Sequence, residues 1–259
     1  SNLIRTYASI SKDNGKSWGK VTDITDQVYG GIYGEGTRYG LFTGSGSGVQ
    51  LKHGPHAGRI MLVVAARNDA SWGGTMSNYA VYSDDGGITW HTSKTPACTN
   101  GDEAKVVELS NGDILMSIRN RAKGHRLFSK STDGGDTWSE PKLNTTLLDP
   151  ACNGDIIAYT HGGKNYLLHS LPASPTTREH VTVYISADNG ETWQAKRRIF
   201  NGYSAYSSLQ VLNDGTIGII VEEGKWDGGL PGEDGFNLGY YRFSLKWLLE
   251  GDVVESATE

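Results

Sequence analysis

Four residues between positions 103 and 206 have side chains that could act together on an anionic substrate: Glu103, Arg119, Arg178 and Tyr206. Arginines hold a carboxylate through paired, charge-assisted hydrogen bonds. A tyrosine becomes a nucleophile when a base takes its proton, because phenol is weak at its unperturbed pKa of about 10. Glutamate is suited to be that base. Singly, such residues at strand ends are usually solvated or packed, so only their joint arrangement argues for chemistry.

A turn motif, Ser-x-Asp-x-Gly-x-Ser/Thr-Trp, occurs four times and predicts the architecture that positions these residues. The copies are Ser11–Trp18, Ser83–Trp90, Ser131–Trp138 and Ser186–Trp193. Each follows or separates apolar segments, so we expect each to be a hairpin turn. Its Asp would accept hydrogen bonds from backbone N–H groups, and its Trp would pack on a neighbouring unit. We expect these motifs to mark the fold rather than to carry chemistry.

The spacing of the motifs predicts a β-propeller. Their aspartates are separated by 72, 48 and 55 residues, and the last two spacings suit four-stranded blades of roughly 40–50 residues with loops. The longer first spacing indicates an insertion, with Thr43–Gly48 as a loop. Asn-Gly and Asp-Gly turns join further strand pairs, such as Ala104–Leu109 with Ile114–Ile118. Helical periodicity is confined to Leu245–Leu249, so residues 1–259 are predicted to form one all-β domain.

Composition excludes several classes of protein. The net charge of −5 over 259 residues argues against nucleic acid as a partner, although a local arginine pocket can still bind an anion. The chain has two cysteines, Cys98 and Cys152. We expect both to be free and buried, and the alternative is a single disulfide bridge between them. The sequence has no apolar stretch long enough to span a membrane. It also has no series of residues spaced as calcium or zinc ligands, and we expect no metal and no cofactor.

Other candidate residues have two interpretations each. A basic cluster follows Arg119 and is formed by Arg121, Lys123 and Arg126. We expect this cluster to be a solvated loop rather than a binding patch. Trp72 and Trp226 lie in glycine-rich segments, where they could stack on sugars or serve packing equally well.

In the order and spacing of its motifs, the chain resembles the bacterial exo-sialidases of glycoside hydrolase family 33. Their repeats are the same Asp-boxes, carried on a six-bladed β-propeller. The resemblance covers essentially the whole chain, and about four blades of such a propeller would lie within it. The segments that carry it are Gly54–Arg59, Asp102–Leu109, Ser117–Asn120, Asp149–Asn153, Tyr206–Gly215 and the closing strand Tyr240–Trp247.

The resemblance implies a role for each of the four residues. Tyr206 matches the nucleophile and Glu103 its base, while Arg119 and Arg178 match arginines that bind the carboxylate of sialic acid. Glu222, on the strand after Tyr206, matches a residue that supports a further arginine. We also expect Asn153 to line the polar edge of the sugar.

Part of the family pattern has no match. The arginine of an Arg-Ile-Pro segment and the aspartic acid/base are not found before Ser11, and the surroundings of Arg5 do not fit. We therefore expect the chain to be the C-terminal portion of the catalytic domain, with the N-terminal part of that domain as a possible partner.

The predicted function is exo-α-sialidase activity, the hydrolysis of terminal sialic acid from glycoconjugates with retention of configuration. The alternative is a non-catalytic Asp-box propeller that binds glycans or proteins. The family resemblance implies a secreted, periplasmic or cell-surface location.

Overall fold

The computed structural model describes residues 4–33, 39–71, 73–225 and 235–250, without the side chains of Ala195 and Lys196. Trp72 and Trp226 lie outside the described residues. Within them the chain divides into two compact units. The first comprises Ser1–Met116 and Ser129–Pro141, and the second comprises Ser117–Phe128 and Lys142–Glu259. The prediction of one domain over the whole chain stays a prediction.

Strands dominate the described residues, as the sequence predicts. The first eleven are β1 (Tyr7–Ala8), β2 (Thr22–Asp23), β3 (Leu41–Thr43), β4 (Val49–Gln50), β5 (Ile60–Arg67), β6 (Met76–Ser83), β7 (His91–Thr92), β8 (Ala104–Glu108), β9 (Ile114–Ile118), β10 (Gly124–Ser131) and β11 (Lys142–Asp149). The others are β12 (Asp155–His161), β13 (Lys164–Pro172), β14 (Val181–Ser186), β15 (Gln194–Arg198), β16 (Ser204–Val211), β17 (Ile217–Glu223) and β18 (Asn237–Phe243).

Helices are short in the described residues. The helix α2 (Leu245–Leu249) is the predicted one, and Ser244 caps it by accepting a hydrogen bond from the Trp247 backbone N–H at 3.1 Å. The helix α1 (Thr25–Gly30) and a 3₁₀ turn at Gly54–His56 were not predicted. Fold class is therefore all-β with short helical connections.

The first unit contains a two-stranded sheet, β1–β2, and a five-stranded sheet with the order β3–β5–β6–β7 in which β4 also pairs with β5. The strands β5 and β6 pair over their full length, from Ile60 opposite Ser83 to Arg67 opposite Met76. Both are rich in residues that favour the interior of a sheet. The core beside them contains Val28, Tyr29, Leu41, Val64, Val81 and Trp90.

A further four-stranded sheet has the order β11–β10–β9–β8. In the second unit, β12–β13–β14–β15 form a sheet whose strands are adjacent in chain order, and β16–β17–β18 form another. The strands pair antiparallel, as in propeller blades.

The second unit has its own hydrophobic core. In β17, every second side chain points inward, which is the period of a half-buried strand. Ile217, Ile219 and Val221 are fully buried there. They pack with Leu168, Val181, Val183, Leu209, Phe243 and Leu248.

The four Asp-boxes form the predicted turns. In each, one aspartate oxygen accepts a backbone N–H from the Ser or Thr four residues on, at 2.8–2.9 Å. The other oxygen accepts the hydroxyl of that Ser or Thr at 2.5–2.6 Å. Trp193 packs as expected, stacking on Phe128 with ring centroids 5.9 Å apart. Trp18 instead is 67% exposed, so the packing prediction was wrong for the first motif.

Candidate active site

Arg119 and Tyr206 meet in the second unit. Arg119 directly follows β9, and its Nη1 donates a hydrogen bond to the Tyr206 hydroxyl oxygen at 3.3 Å. Tyr206 lies near the start of β16, and both residues are partly buried. The sequence therefore predicted correctly that these two side chains converge, although 87 residues separate them.

A bulge in β16 sets the position of Tyr206. Ser204 pairs with Glu223 and Ser207 with Val221, so two residues of β16, including Tyr206, face Glu222 alone. The Tyr206 N–H donates instead to Oε2 of Glu222 at 3.1 Å. A bulge removes a backbone donor from the ladder, and the carboxylate satisfies it. Glu222 thus holds the backbone of the candidate nucleophile.

Arg178 approaches the same tyrosine from the segment between β13 and β14. Its guanidinium carbon lies 5.6 Å from the centroid of the Tyr206 ring, within cation–π range. Its Nη2 donates to the carbonyl oxygen of Ala151 at 3.1 Å. Asn153, two residues further along that turn, is 97% buried, since its exposed fraction is 3%. The structure therefore brings Arg119, Arg178 and Tyr206 together, with the Ala151 turn beside Arg178.

The charges of Arg178 and Arg119 both affect the pKa of the Cys152 thiol. Burial raises the pKa of its thiol to about 12, and the positive charges of Arg178 and then Arg119 oppose that rise. Cys98 is also free and buried, and burial raises the pKa of its thiol as well. The prediction of two free buried thiols is confirmed, and thiols held in this state are inert at neutral pH.

Glu103 belongs to the first unit, where it is 9% exposed and immediately precedes β8. Its backbone N–H donates to Oδ1 of Asp102 at 2.8 Å. The pairing of its carboxylate with the Tyr206 hydroxyl stays a prediction.

Sequence reasoning missed a buried ion pair next to these residues. Arg126, assigned above to a solvated loop, lies within β10 with no exposed surface, and that interpretation is wrong. Its Nη1 donates to Oδ2 of the equally buried Asp149 at 3.0 Å. Alternation along β10 was the available signal, because Arg126 shares a face with the buried Phe128.

The described residues contain no group of three or more His, Cys, Asp or Glu side chains that could hold a metal ion. Neither α1 nor α2, the α-helices of the described part, has the length or apolar character needed to cross a membrane.

The fold agrees with the comparisons to known proteins. Residues 3–219 match the family described as BNR repeat-like domain, and the chain belongs to that family. It is 34% identical over 254 residues to a sialidase of Micromonospora viridifaciens, covering 95% of this chain and 36% of the relative. A sialidase of Bacteroides fragilis is 29% identical over 222 residues, covering 82% and 38% respectively.

Solved structures give the same result for the fold. A Hadza microbial sialidase superimposes with a TM-score of 0.77 at 26% identity, over 94% of this chain and 44% of that one. A sialidase from Streptococcus pneumoniae gives a TM-score of 0.76 at 21% identity, over 94% and 36%. The predicted sialidase-type β-propeller fold is confirmed. The chain spans only 36% and 38% of the lengths of the two curated relatives.

Proposed function

We propose that this chain carries most of the active site of an exo-α-sialidase, which hydrolyses terminal sialic acid from glycoconjugates with retention of configuration. The observation that carries the proposal is the convergence of two guanidinium groups on one tyrosine: Arg119 at 3.3 Å from the hydroxyl oxygen and Arg178 at 5.6 Å from the ring. Named sialidases among the relatives support the same reaction.

The substrate explains these residue types. Sialic acid bears a carboxylate on its anomeric carbon, and Arg119 with Arg178 would hold that group by charge-assisted hydrogen bonds. A carboxylate nucleophile would approach it with like charge, whereas a tyrosine is neutral, and sialidases depart from other glycosidases in using one. Arg119 also places positive charge beside the phenol oxygen, which favours negative charge there as the proton leaves.

The reaction would proceed in two displacements. Glu103 takes the Tyr206 proton, the phenol oxygen bonds to the anomeric carbon, and the glycosidic bond breaks as the leaving oxygen takes a proton from an acid. Water then attacks the anomeric carbon and gives a proton to the conjugate base of that acid, while the bond to Tyr206 breaks and Glu103 returns its proton to the phenol oxygen. The acid and one further arginine, which the family resemblance implies, would come from the N-terminal part of the same catalytic domain. Asn153 would face the sugar, and the location would be secreted, periplasmic or at the cell surface.

Release of a fluorogenic leaving group from an α-sialoside tests the proposal. Tyr206→Phe removes the nucleophile and should abolish turnover while leaving sialoside binding in place. Tyr203→Phe is the matched control, because Tyr203 is 47% exposed and three residues away. The assay is run on the chain alone and on the chain joined to the N-terminal part of a sialidase domain. Glycan binding without turnover in both forms would favour the non-catalytic binding module instead.

A further inference from the structure

A single buried carboxylate joins the segment that carries Arg119 to the turn that accepts a hydrogen bond from Arg178. Asp149 ends β11 and is fully buried. Its Oδ2 accepts the backbone N–H of Asn120, the residue after Arg119, at 3.0 Å. Its Oδ1 accepts the backbone N–H of Cys152 at 2.9 Å and so closes the turn that contains Ala151.

Arg126 completes this arrangement from β10. Its Nη1 bridges Oδ2 of Asp149 at 3.0 Å and the carbonyl oxygen of Cys152 at 2.7 Å. Its Nε donates to the hydroxyl of Ser117 at 2.9 Å. Arg126, Asp149 and Ser117 are all fully buried. The ion pair therefore neutralises the carboxylate and braces the same turn from its other side.

The turn that contains Ala151 also contacts the side chain of Arg178. Ala151 has φ +59°, a left-handed conformation that non-glycine residues seldom adopt. This conformation is held between the two contacts of Cys152 with the ion pair. The Ala151 carbonyl oxygen is the acceptor for Nη2 of Arg178 at 3.1 Å. The position of the Arg178 guanidinium is thus linked to Asp149 through one residue of strained backbone.

From this geometry we infer that Asp149, paired with Arg126, is a positioning residue that sets both carboxylate-binding arginines against Tyr206. The inference rests on the proposed function, in which Arg119 and Arg178 bind the same substrate carboxylate. A buried ion pair is weak support for stability alone, since an apolar pair of similar volume often serves as well. Asp149 instead uses its oxygens on the backbone next to Arg119 and on the turn that holds Arg178. It touches no substrate in this scheme and acts only through the arginines.

Asp149→Asn tests this inference, because it keeps the shape of the side chain and removes its charge. The ligands are the α-methyl glycoside of N-acetylneuraminic acid and the methyl ester of its carboxyl group. We expect affinity for the acid to fall about tenfold or more, the loss of a well-placed charge-assisted hydrogen bond. Affinity for the ester should change little. An equal loss for both ligands, or no loss for either, would overturn the inference. Arg126→Lys keeps the positive charge and Arg126→Met removes it. We expect the Lys variant to prefer the acid over the ester more strongly than the Met variant does.

A second measurement needs no ligand. The side-chain ¹⁵N resonances of Arg119 and Arg178, assigned from their Lys variants, report the surroundings of each guanidinium. We expect both to move in Asp149→Asn. Ala151→Val, which disfavours the left-handed conformation while keeping both members of the ion pair, should move that of Arg178, while Ala151→Gly should not.

The two measurements separate the possible failures. An Arg178 resonance that is unchanged in both Asp149→Asn and Ala151→Val would refute the positioning role, whatever the chain binds. A wild-type chain that binds the acid and the ester equally would refute the proposed function while the resonances still decide the role of Asp149.

Discussion

At the scale of single residues, the candidate nucleophile depends on a neighbour that takes no part in bond formation. Tyr206 sits at a bulge, where its N–H has left the ladder and donates to Glu222 at 3.1 Å. An amide that loses its acceptor in a partly buried site retains the cost of its desolvation. The carboxylate of Glu222 therefore contributes to both the stability of the bulge and the direction of the Tyr206 side chain.

Replacing Glu222 should separate these contributions. Glu222→Leu removes the acceptor, and we expect it to lower the free energy of unfolding by about 1–3 kcal/mol. It should also lower turnover of an α-sialoside by misplacing the hydroxyl. Glu222→Gln keeps an acceptor oxygen and should preserve most of both. Denaturant unfolding and the fluorogenic assay measure the two effects. Equal behaviour of the Leu and Gln variants would contradict the assigned contact.

The sequence could identify those site residues whose neighbours along the chain form a recognisable motif. Tyr206, Arg119 and Arg178 lie beside strand ends in a recognisable order, and the structure brings these three together. Arg126 shares its surroundings with other cations, which suggested solvent. Its partner Asp149 is 23 residues away, and nothing local in the sequence specifies that pairing.

At the scale of elements, the Asp-boxes were predictable because their contacts are local. The aspartate of each box binds groups no more than four residues away, so turn chemistry alone determines the geometry. The helix α1 was not predictable, because its six residues depend on distant partners. Gln27 accepts the Trp90 backbone N–H at 2.7 Å, and Val28 accepts the Thr92 hydroxyl at 2.9 Å. Such contacts override local propensity.

The Asp-boxes should make stability depend on acidity. The hydroxyl of Thr89 holds the pKa of Asp85 well below its usual range, and the Thr89 backbone N–H adds to this. In the first box, Ser17 lowers the pKa of Asp13 to about 2 in the same way. A folded pKa below the unfolded value of about 3.9 means that the charged form stabilises the fold above that pH. This contribution is lost as pH falls towards the folded pKa.

Asp85→Asn should therefore be less stable than wild type at pH 6, and the difference in Tm should narrow as pH falls below about 4. Thermal unfolding followed by circular dichroism from pH 6 to pH 2.5 measures it. Glu250→Gln is the control for removing a surface carboxylate, because Glu250 is 61% exposed with a 3.7 Å contact to Lys246. A gap that stays constant, or widens on acidification, would show that the charge of Asp85 is not what stabilises its turn.

At the scale of the whole molecule, the net charge of the chain is opposite in sign to the two arginines of the candidate site. The chain carries a net charge of −5, which repels an anionic sugar at a distance. Arg119 and Arg178 supply positive charge within a few ångströms of Tyr206. Long-range repulsion is screened by salt within a Debye length of about 10 Å at 0.1 M, whereas contacts in a partly buried site are screened much less.

These opposing charges predict an unusual response of sialoside binding to salt. Raising NaCl from about 0.02 M to about 0.5 M should increase the association rate constant, because the net repulsion is screened. The dissociation rate constant should rise as well, because the arginine–carboxylate contacts weaken, so the equilibrium affinity should change little. Stopped-flow binding of a fluorescent α-sialoside measures both constants, and an uncharged methyl ester of the same ligand controls for non-electrostatic effects of salt. An association rate that instead falls steeply with salt would mean that the ligand is steered by a positive field much larger than two arginines. In that case the site that captures the sugar would have to include cations beyond Arg119 and Arg178.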